Sequence, residues 1–228
     1  MNLLNEFSNN RILSALPQQE HQNLRNCLEL VQLPLGEILL KPNQKIESVY
    51  FLTQGVVSLI STMQDGSTTE IGLIGTEGMV GTPQFLGDGV LGSSRAEVQI
   101  QGEALRIDAT ALRIEYKRSE LLQKLILQYS LSLFNQVSQC AACNNHHTVK
   151  QRTARWLLML DDRLGEETFL MTQQLLSKML GVRRTGVTEI AKEIQRQGII
   201  DYHRGKITIL DRKALEAIAC ECYQIVRI

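Results

Sequence analysis

Six lysine and arginine side chains, against three acidic ones, lie between Arg183 and Lys206. Within this segment, residues 184–197 are predicted to be a helix, because apolar residues recur at i, i+3, i+4 and i+7 and form one stripe. The stripe comprises Val187, Ile190, Ala191 and Ile194. The opposite face begins with side chains that can hydrogen-bond to base edges in the major groove of DNA: Arg184, Thr185, Thr188 and Glu189. The chemistry offered here is recognition of duplex DNA.

A second set of side chains could neutralise DNA phosphates. Arg183 precedes the helix and Lys192 lies on its polar face. Arg204 and Lys206 are predicted at the tip of a two-stranded wing formed by residues 199–210. Phosphate contacts add affinity and salt dependence but little sequence information.

The frame for these side chains is a predicted helix-turn-helix. Thr172 can cap a short helix over Gln173–Leu180, and Gly181 supplies the tight turn between two steeply crossing helices. The upstream segment Val149–Leu164 is predicted to be a supporting helix, whose Trp156 packs in the hydrophobic core of the domain. The alternative is a solvated helix in an ordinary packing domain.

The two halves of the chain differ in composition. The 228 residues carry no net charge, but residues 1–148 hold 10 basic and 14 acidic side chains, whereas residues 149–228 hold 14 basic and 10 acidic ones. Eleven of the 16 glycines lie between residues 36 and 102. Short β-type runs there, with a hairpin turn at Asp65-Gly66, predict an antiparallel β-roll. The runs are Glu37–Leu40, Ser48–Leu52, Val56–Thr62, Thr68–Ile74, Ala96–Ile100 and Ala104–Ile107.

A long helix is predicted after the β-roll. Asp108 can act as an N-cap, and residues 121–147 contain neither glycine nor proline. A heptad seam runs along this stretch and predicts that the helix forms a dimer interface. The alternative is that the helix is buried against the β-domain of its own chain. The seam comprises Leu122, Ile126, Tyr129, Leu133, Gln136, Cys140, Cys143 and His147.

The predicted fold class is α+β: an N-terminal antiparallel, jelly-roll-like β-roll, a long dimerisation helix and a C-terminal winged helix-turn-helix domain. The corresponding domains are residues 1–117, 118–147 and 148–228. No apolar run approaches the roughly 20 residues that span a bilayer, and residues 1–20 lack a signal-peptide pattern. We therefore expect a cytoplasmic protein without a membrane partner. A metal-dependent β-roll enzyme is disfavoured, because no histidine lies between residues 37 and 107.

The whole pattern resembles the Crp/Fnr family of bacterial transcription regulators. The resemblance rests on residues 172–210, on Val49–Val57 (VYFLTQGVV) and on Gly75–Gly81 (GTEGMVG). It implies a homodimer that binds a palindromic site on double-stranded DNA, with RNA polymerase as a further partner if the protein activates transcription. It also implies base or base-flanking contacts by Arg184, Thr185 and Thr188, and phosphate contacts by Thr172, Gln173 and Gln174. Glu189 departs from the basic residue of some members, which leaves the operator sequence open.

The effector pocket implied by the resemblance is degenerate. Members that bind cyclic AMP carry a Gly-Glu pair and then an Arg-Ser/Thr pair, whereas this chain has Gly81-Thr82 and the reversed Ser94-Arg95. A shift of one residue turns a strand side chain to the opposite face. Two lost charge-assisted hydrogen bonds weaken binding by roughly two to four decades. We therefore predict an effector other than cyclic AMP, and no particular cofactor. The alternatives are a cyclic-AMP-responsive regulator and a cyclic-nucleotide-binding subunit that acts on a protein partner.

The five cysteines leave a metal or redox site open. An iron–sulfur sensor with N-terminal thiolates is disfavoured, because only Cys27 precedes residue 140. Cys140, Cys143 and His147 share one helical face and form a candidate metal or redox site. The alternative is that they are buried at the helix seam. Cys220 and Cys222, on a last helix predicted from Asp211 to about Cys222, are expected to face apart.

Overall fold

The computed structural model describes residues 6–165 and 168–227. The chain forms two compact units, one made of the residues up to Leu59 with Leu73–Phe134 and the other of Ile60–Gly72 with Asn135–Ile228. The division falls inside the long helix, and the tip of one β-hairpin belongs to the second unit. The domain boundaries at residues 117 and 147 stay a prediction.

An antiparallel sheet dominates the first part of the chain. Its strands are β1 (Leu28–Leu33), β2 (Ile38–Leu40), β3 (Ser48–Thr62), β4 (Thr68–Ile74), β5 (Met79–Val80) and β6 (Ser94–Asp108). The sheet order is β1-β6-β3-β4, with β2 paired to β6 and β5 paired to β3. The accompanying helices are α1 (Arg11–Ser14), α2 (Gln18–Arg25), α3 (Pro83–Leu86) and α4 (Ala109–Arg118).

Two pairs of strands predicted as separate are continuous in the structure. Residues 48–62 form the single strand β3, and residues 94–108 form β6. The backbones of the two strands approach closely where the sequence suggested a break: a Cβ on Gly55 would lie 2.6 Å from the Ile100 carbonyl oxygen, and one on Gly102 would lie 2.2 Å from that of Gln54. The glycines permit this close approach without ending the strands. Strand β1 was not predicted.

The long helix α5 spans Glu120–His146. As predicted, Asp108 is an N-cap: its carboxylate accepts hydrogen bonds from the backbone N–H groups of Thr110 (2.8 Å) and Ala111 (2.9 Å). It caps the separate helix α4, and α5 begins after Ser119, whose Oγ accepts from the Leu122 N–H at 2.9 Å. No helix in the described ranges, α5 included, is both long and apolar enough to cross a membrane.

The predicted dimer seam on α5 is wrong for six of its eight residues, which are buried within the single chain. Leu122, Ile126 and Tyr129 are 1%, 0% and 8% exposed in the single chain, so they pack inside it, as the alternative interpretation required. Gln136, Cys140 and Cys143 are also buried, while Leu133 and His147 are half-buried. The helix has a second apolar stripe with the same three- and four-residue spacing, and this one is exposed: Leu127 (46%), Leu131 (61%) and Phe134 (66%).

The second unit contains the helix-turn-helix. Its elements after α5 are α6 (Val149–Leu164), β7 (Thr168–Leu170), α7 (Gln173–Leu180), α8 (Arg184–Arg196), β8 (Ile200–His203), β9 (Lys206–Ile209), α9 (Arg212–Ile218) and α10 (Cys222–Val226). Strands β7, β9 and β8 form a three-stranded antiparallel sheet in that order. Trp156 is buried, as predicted, and its Nε1 donates to Oε1 of Glu70, which lies on β4, at 2.6 Å.

The predicted α+β class is confirmed, with an antiparallel N-terminal domain, a long helix and a C-terminal helix-turn-helix domain. The predicted last helix, however, is divided. Asp211 caps α9 by accepting from the Ala214 N–H at 2.9 Å, but α9 ends at Ile218, and α10 begins only at Cys222.

Candidate nucleic-acid interface

The first helix of the helix-turn-helix has the predicted bounds and caps. Thr172 Oγ1 accepts from the Leu175 N–H at 3.1 Å, which satisfies one free donor of the first turn of α7. Gly181 ends α7 at a φ of +63°, in the left-handed region that glycine adopts without strain. The turn therefore follows from two local signals, a threonine cap and a glycine stop.

Helix α8 presents the predicted polar face. Val187, Ala191 and Ile194 are buried, and Ile190 is half-buried. The side chains of the opposite face that are exposed are Arg183, Arg184, Thr185, Glu189 and Lys192. Lys150 on α6 pairs with Glu193 on α8 (Nζ to Oε1 2.7 Å), which holds the helix on its support. The apolar face therefore anchors α8 in the domain, and the charged face is exposed to solvent.

Thr188 has a different environment from the other predicted base-reading residues. Its hydroxyl lies 2.8 Å from Gln173 Oε1 and 3.0 Å from the Arg184 carbonyl oxygen. A hydroxyl has one proton to donate, so it is engaged inside the motif, leaving the methyl group for a contact with thymine. Thr188 and Gln173 together fix the position of α8 relative to α7.

The structure brings predicted base and phosphate contacts onto one concave surface. This surface encloses about 510 Å³ and is lined by Thr172, Gln173, Gln174, Arg184, Tyr202, Arg204 and Gly205. Tyr202 is an addition to the predicted set. Its hydroxyl donates to the Met171 carbonyl oxygen at 2.8 Å, and burial raises its pKa, against the lowering effect of the nearby Arg184 charge. The sequence signal was its place on the first wing strand, two residues before Arg204.

The wing ends in a tight turn. His203 pairs with Lys206, while Arg204 and Gly205 both have positive φ (+48° and +76°). Two successive residues in this region make the hairpin turn that matches the twist of the strands. The side chains of Arg204 and Lys206 are exposed at the tip. Both cations therefore lie where DNA backbone could reach them, and their phosphate contacts stay a prediction.

The predicted effector residues lie at two places in the β-roll. Gly81 and Thr82 connect β5 to α3; Gly81 has a φ of +119° and Thr82 is buried. Ser94 and Arg95 open β6. Arg95 Nε pairs with Glu97 Oε2 at 2.7 Å, and about a fifth of each of these two side chains is exposed. The guanidinium charge is thus already offset by a carboxylate of the same strand.

Several buried polar atoms of the first unit have no hydrogen-bond partner among the described residues. Both amide atoms of Gln99 are in this state, as are Thr82 Oγ1 and Gln84 Oε1. An unsatisfied buried polar group is unfavourable, and native proteins satisfy nearly all of them with protein, water or ligand.

The candidate metal residues are regrouped in the structure. Cys140 accepts from Arg155 Nη1 at 3.3 Å, away from the other two. Cys143 and His147 instead meet Cys220 and Cys222, and their ligand atoms all lie within 4.8 Å of one another. The expectation that the last two cysteines face apart is wrong, because Cys220 precedes α10 rather than lying on it.

An antiparallel β-sheet domain, a long helix and a winged helix-turn-helix with an exposed basic face together define a DNA-binding regulator. Profiles of two families match the chain: the cyclic nucleotide-binding domain over residues 30–119 and the Crp-like helix-turn-helix domain over residues 151–218. The chain belongs to the Crp/Fnr family of transcription regulators.

The chain is also similar in sequence or in fold to individual transcription regulators. The transcriptional regulator SdrP of Thermus thermophilus is 25% identical over 202 residues, which cover 84% of this chain and 94% of SdrP. FixK2 of Bradyrhizobium japonicum has a similar fold, with a TM-score of 0.72, 17% identity and coverage of 85% of this chain and 98% of FixK2. The c-di-GMP-responsive regulator CLP of Xanthomonas campestris gives a TM-score of 0.70, 15% identity and coverage of 85% and 99%. The family consists of transcription regulators rather than enzymes.

Proposed function

We propose that this regulator is a homodimer that binds a palindromic operator and responds to an effector other than cyclic AMP. The observation that carries the proposal is the concave basic surface, in which Arg184 stands exposed at the first turn of α8 beside the wing cation Arg204. An arginine at that place can pair with guanine in the major groove, while the wing cation contacts the adjacent backbone.

The exposed stripe on α5 is the proposed dimer interface, at which it packs against the same stripe of a second copy of the chain. Leu127, Leu131 and Phe134 repeat at i, i+4 and i+7, and all three are large and apolar. The same spacing continues to Ser138 and Ala141, small residues that allow close helix approach. A two-fold axis along such a stripe makes the same face meet itself. Two recognition helices related by this axis would contact half-sites about one DNA turn apart, which is why the operator is expected to be palindromic.

The roles of the side chains follow from their exposure. We assign base contacts to Arg184, Thr185, Glu189 and the Thr188 methyl group. Phosphate contacts are assigned to Thr172, Gln173, Gln174, Arg183, Lys192, Arg204 and Lys206. An activator would additionally contact RNA polymerase.

A gel-shift titration with Arg184→Ala tests the recognition helix. Each half-site loses a bidentate contact to guanine, worth about 1–3 kcal/mol of discrimination. The dimer therefore loses about 2–6 kcal/mol on an operator selected from random DNA, which should be bound roughly 30- to 20,000-fold more weakly, whereas random DNA loses much less. Lys213→Ala is the matched control, because Lys213 is an exposed cation on α9, outside the concave surface. Equal losses on operator and random DNA would contradict the assignment of Arg184.

The Arg95–Glu97 pair supports the proposal about the effector. A cyclic phosphate would have to compete with Glu97 for Arg95, and Thr82 stands where cyclic-AMP-binding relatives carry a glutamate. We expect cyclic AMP to leave the melting temperature unchanged in a thermal-shift titration. Because the structural relative CLP is c-di-GMP-responsive, c-di-GMP belongs in the same titration. Saturable stabilisation by cyclic AMP would favour the alternative, a cyclic-AMP-responsive regulator.

A further inference from the structure

We propose that Cys143, His147, Cys220 and Cys222 form a mononuclear, tetrahedral Zn²⁺ site in the DNA-binding unit. The ligand set is three thiols and one imidazole, a combination typical of closed structural zinc sites. This inference concerns a different part of the chain from the concave surface and does not depend on how the protein binds DNA.

The distances fit a single ion. Cys143 Sγ lies 3.5 Å from Cys220 Sγ, and Cys222 Sγ lies 3.5 Å from His147 Nδ1. Bonds of about 2.3 Å to sulfur and 2.0 Å to nitrogen place tetrahedral ligand atoms about 3.5–3.8 Å apart. No pair of the four ligand atoms is further apart than 4.8 Å, so closing the shell requires movements of an ångström or less. An iron–sulfur cluster needs a wider cage, because several irons and sulfides separate its thiolates.

The histidine is oriented as a ligand. Its Nδ1 faces Cys222, while its Nε2 lies 3.2 Å from Glu221 Oε2. A carboxylate that accepts from the other ring nitrogen is the usual partner of a zinc-bound histidine, because it fixes the tautomer and the ring. Gln139 Nε2 also donates to Cys222 Sγ at 3.0 Å, as an outer hydrogen bond to a ligand sulfur.

The charge around the site suits thiolates. Binding of Zn²⁺ by three thiols releases three protons and leaves a complex with one net negative charge. Two buried guanidinium groups, Arg152 and Arg155, are close enough to interact electrostatically with Cys143. These two positive charges would offset the negative charge of the loaded complex.

The fold explains how the four residues meet. Cys143 lies in the last turn of α5, and His147 directly follows the helix. The His147 N–H still donates to the Cys143 carbonyl oxygen at 3.1 Å, which keeps the two residues on one side of the helix end. Cys220 and Cys222 flank Glu221 at the break between α9 and α10. A bound ion would tie the end of α5 to the C-terminal helices. Structural zinc contributes to folding free energy, so we expect the loaded ion to stabilise the second unit.

Metal analysis of the full-length protein tests the site. Protein purified without chelators should contain one zinc per chain, and Co²⁺ exchanged into it should show the visible d–d and sulfur-to-cobalt charge-transfer bands of tetrahedral thiolate coordination. Cys143→Ser and Cys222→Ser should each lose the ion or bind it far more weakly. Glu221→Gln should retain it with affinity lowered about 10-fold or more.

Two control cysteines sharpen the result. Cys140→Ser, on the same helix, and Cys27→Ser, exposed in the first unit, should keep the full zinc content. If the serine variants do not fold, His147→Cys still tests the proposal, because four thiolates retain Zn²⁺ and red-shift the cobalt spectrum. Three results would overturn it: zinc content unaffected by loss of Cys143 or Cys222, a metal-free Cys143–Cys220 disulfide in protein purified under reducing conditions, or iron with acid-labile sulfide at this site.

Discussion

The exposed stripe on α5 leads to a quantitative prediction about dimerisation. Phe134 is 66% exposed in the single chain and is the most exposed of the three stripe residues. A phenylalanine buries on the order of 200 Å², of which roughly 130 Å² is exposed here, and an alanine would keep roughly 45 Å² of that area. Phe134→Ala in both copies therefore withdraws about 170 Å² from a fully covered interface. At about 25 cal/mol per Å² this is about 4 kcal/mol, which raises the dimer dissociation constant about a thousandfold.

Sedimentation velocity across a protein concentration series measures this change. The matched variant is Ile126→Ala, on the same helix but buried within the chain. It should lower the free energy of unfolding by about 2–5 kcal/mol, because it leaves a cavity. Phe134→Ala should instead dissociate the dimer without unfolding the protomer, as followed by circular dichroism. A dimer that resists Phe134→Ala but dissociates with a folded Ile126→Ala protomer would refute the assignment of the two faces.

Three further predictions concern the second unit. Gly181→Ala should lower the melting temperature, because a φ of +63° strains any residue with a Cβ. Gly186→Ala, in open space on α8, should instead stabilise the protein by about 0.5–1 kcal/mol. An unchanged melting temperature in both variants would contradict the turn geometry. Trp156→Phe removes the 2.6 Å hydrogen bond to Glu70 and should lower the free energy of unfolding, measured by urea denaturation, by about 1–3 kcal/mol. An unchanged free energy of unfolding would show that this hydrogen bond does not stabilise the protein. Arg204→Ala should reduce the slope of log K against log salt by about 2 in binding titrations, because the dimer carries two copies of Arg204; an unchanged slope would argue against a phosphate contact.

The helix-turn-helix could be predicted from sequence because its signals are local. Thr172 and Gly181 mark the ends of α7 by capping chemistry that involves residues only a few positions away. The continuous strands β3 and β6 could not be predicted in the same way. Glycines 55 and 102 usually indicate a turn, and only the pairing partner shows that they permit two bent strands to approach.

The faces of α5 show a second limit of sequence patterns. Two apolar stripes on one helix have the same period, so spacing alone does not tell which stripe packs inside the chain. The exposures of the side chains distinguish the two stripes: the stripe with Ile126 is buried within the chain, and the stripe with Phe134 is exposed. The cysteine cluster was missed for a related reason: Cys143 and Cys220 are 77 residues apart, and the end of α9 at Ile218, which turns Cys220 toward Cys143, depends on tertiary packing.

Selection of binding sites from random duplex DNA tests the central proposal most directly. The two-fold arrangement of α8 predicts enriched sequences with two inverted half-sites whose centres lie about 10 base pairs apart. With Arg184→Ala the preference should relax at the base pair that Arg184 contacts in each half-site, whereas Lys213→Ala should leave the enriched motif unchanged. Enrichment of a single, non-repeated half-site, or of no motif at all by the folded wild-type protein, would contradict a dimeric regulator that reads DNA through α8.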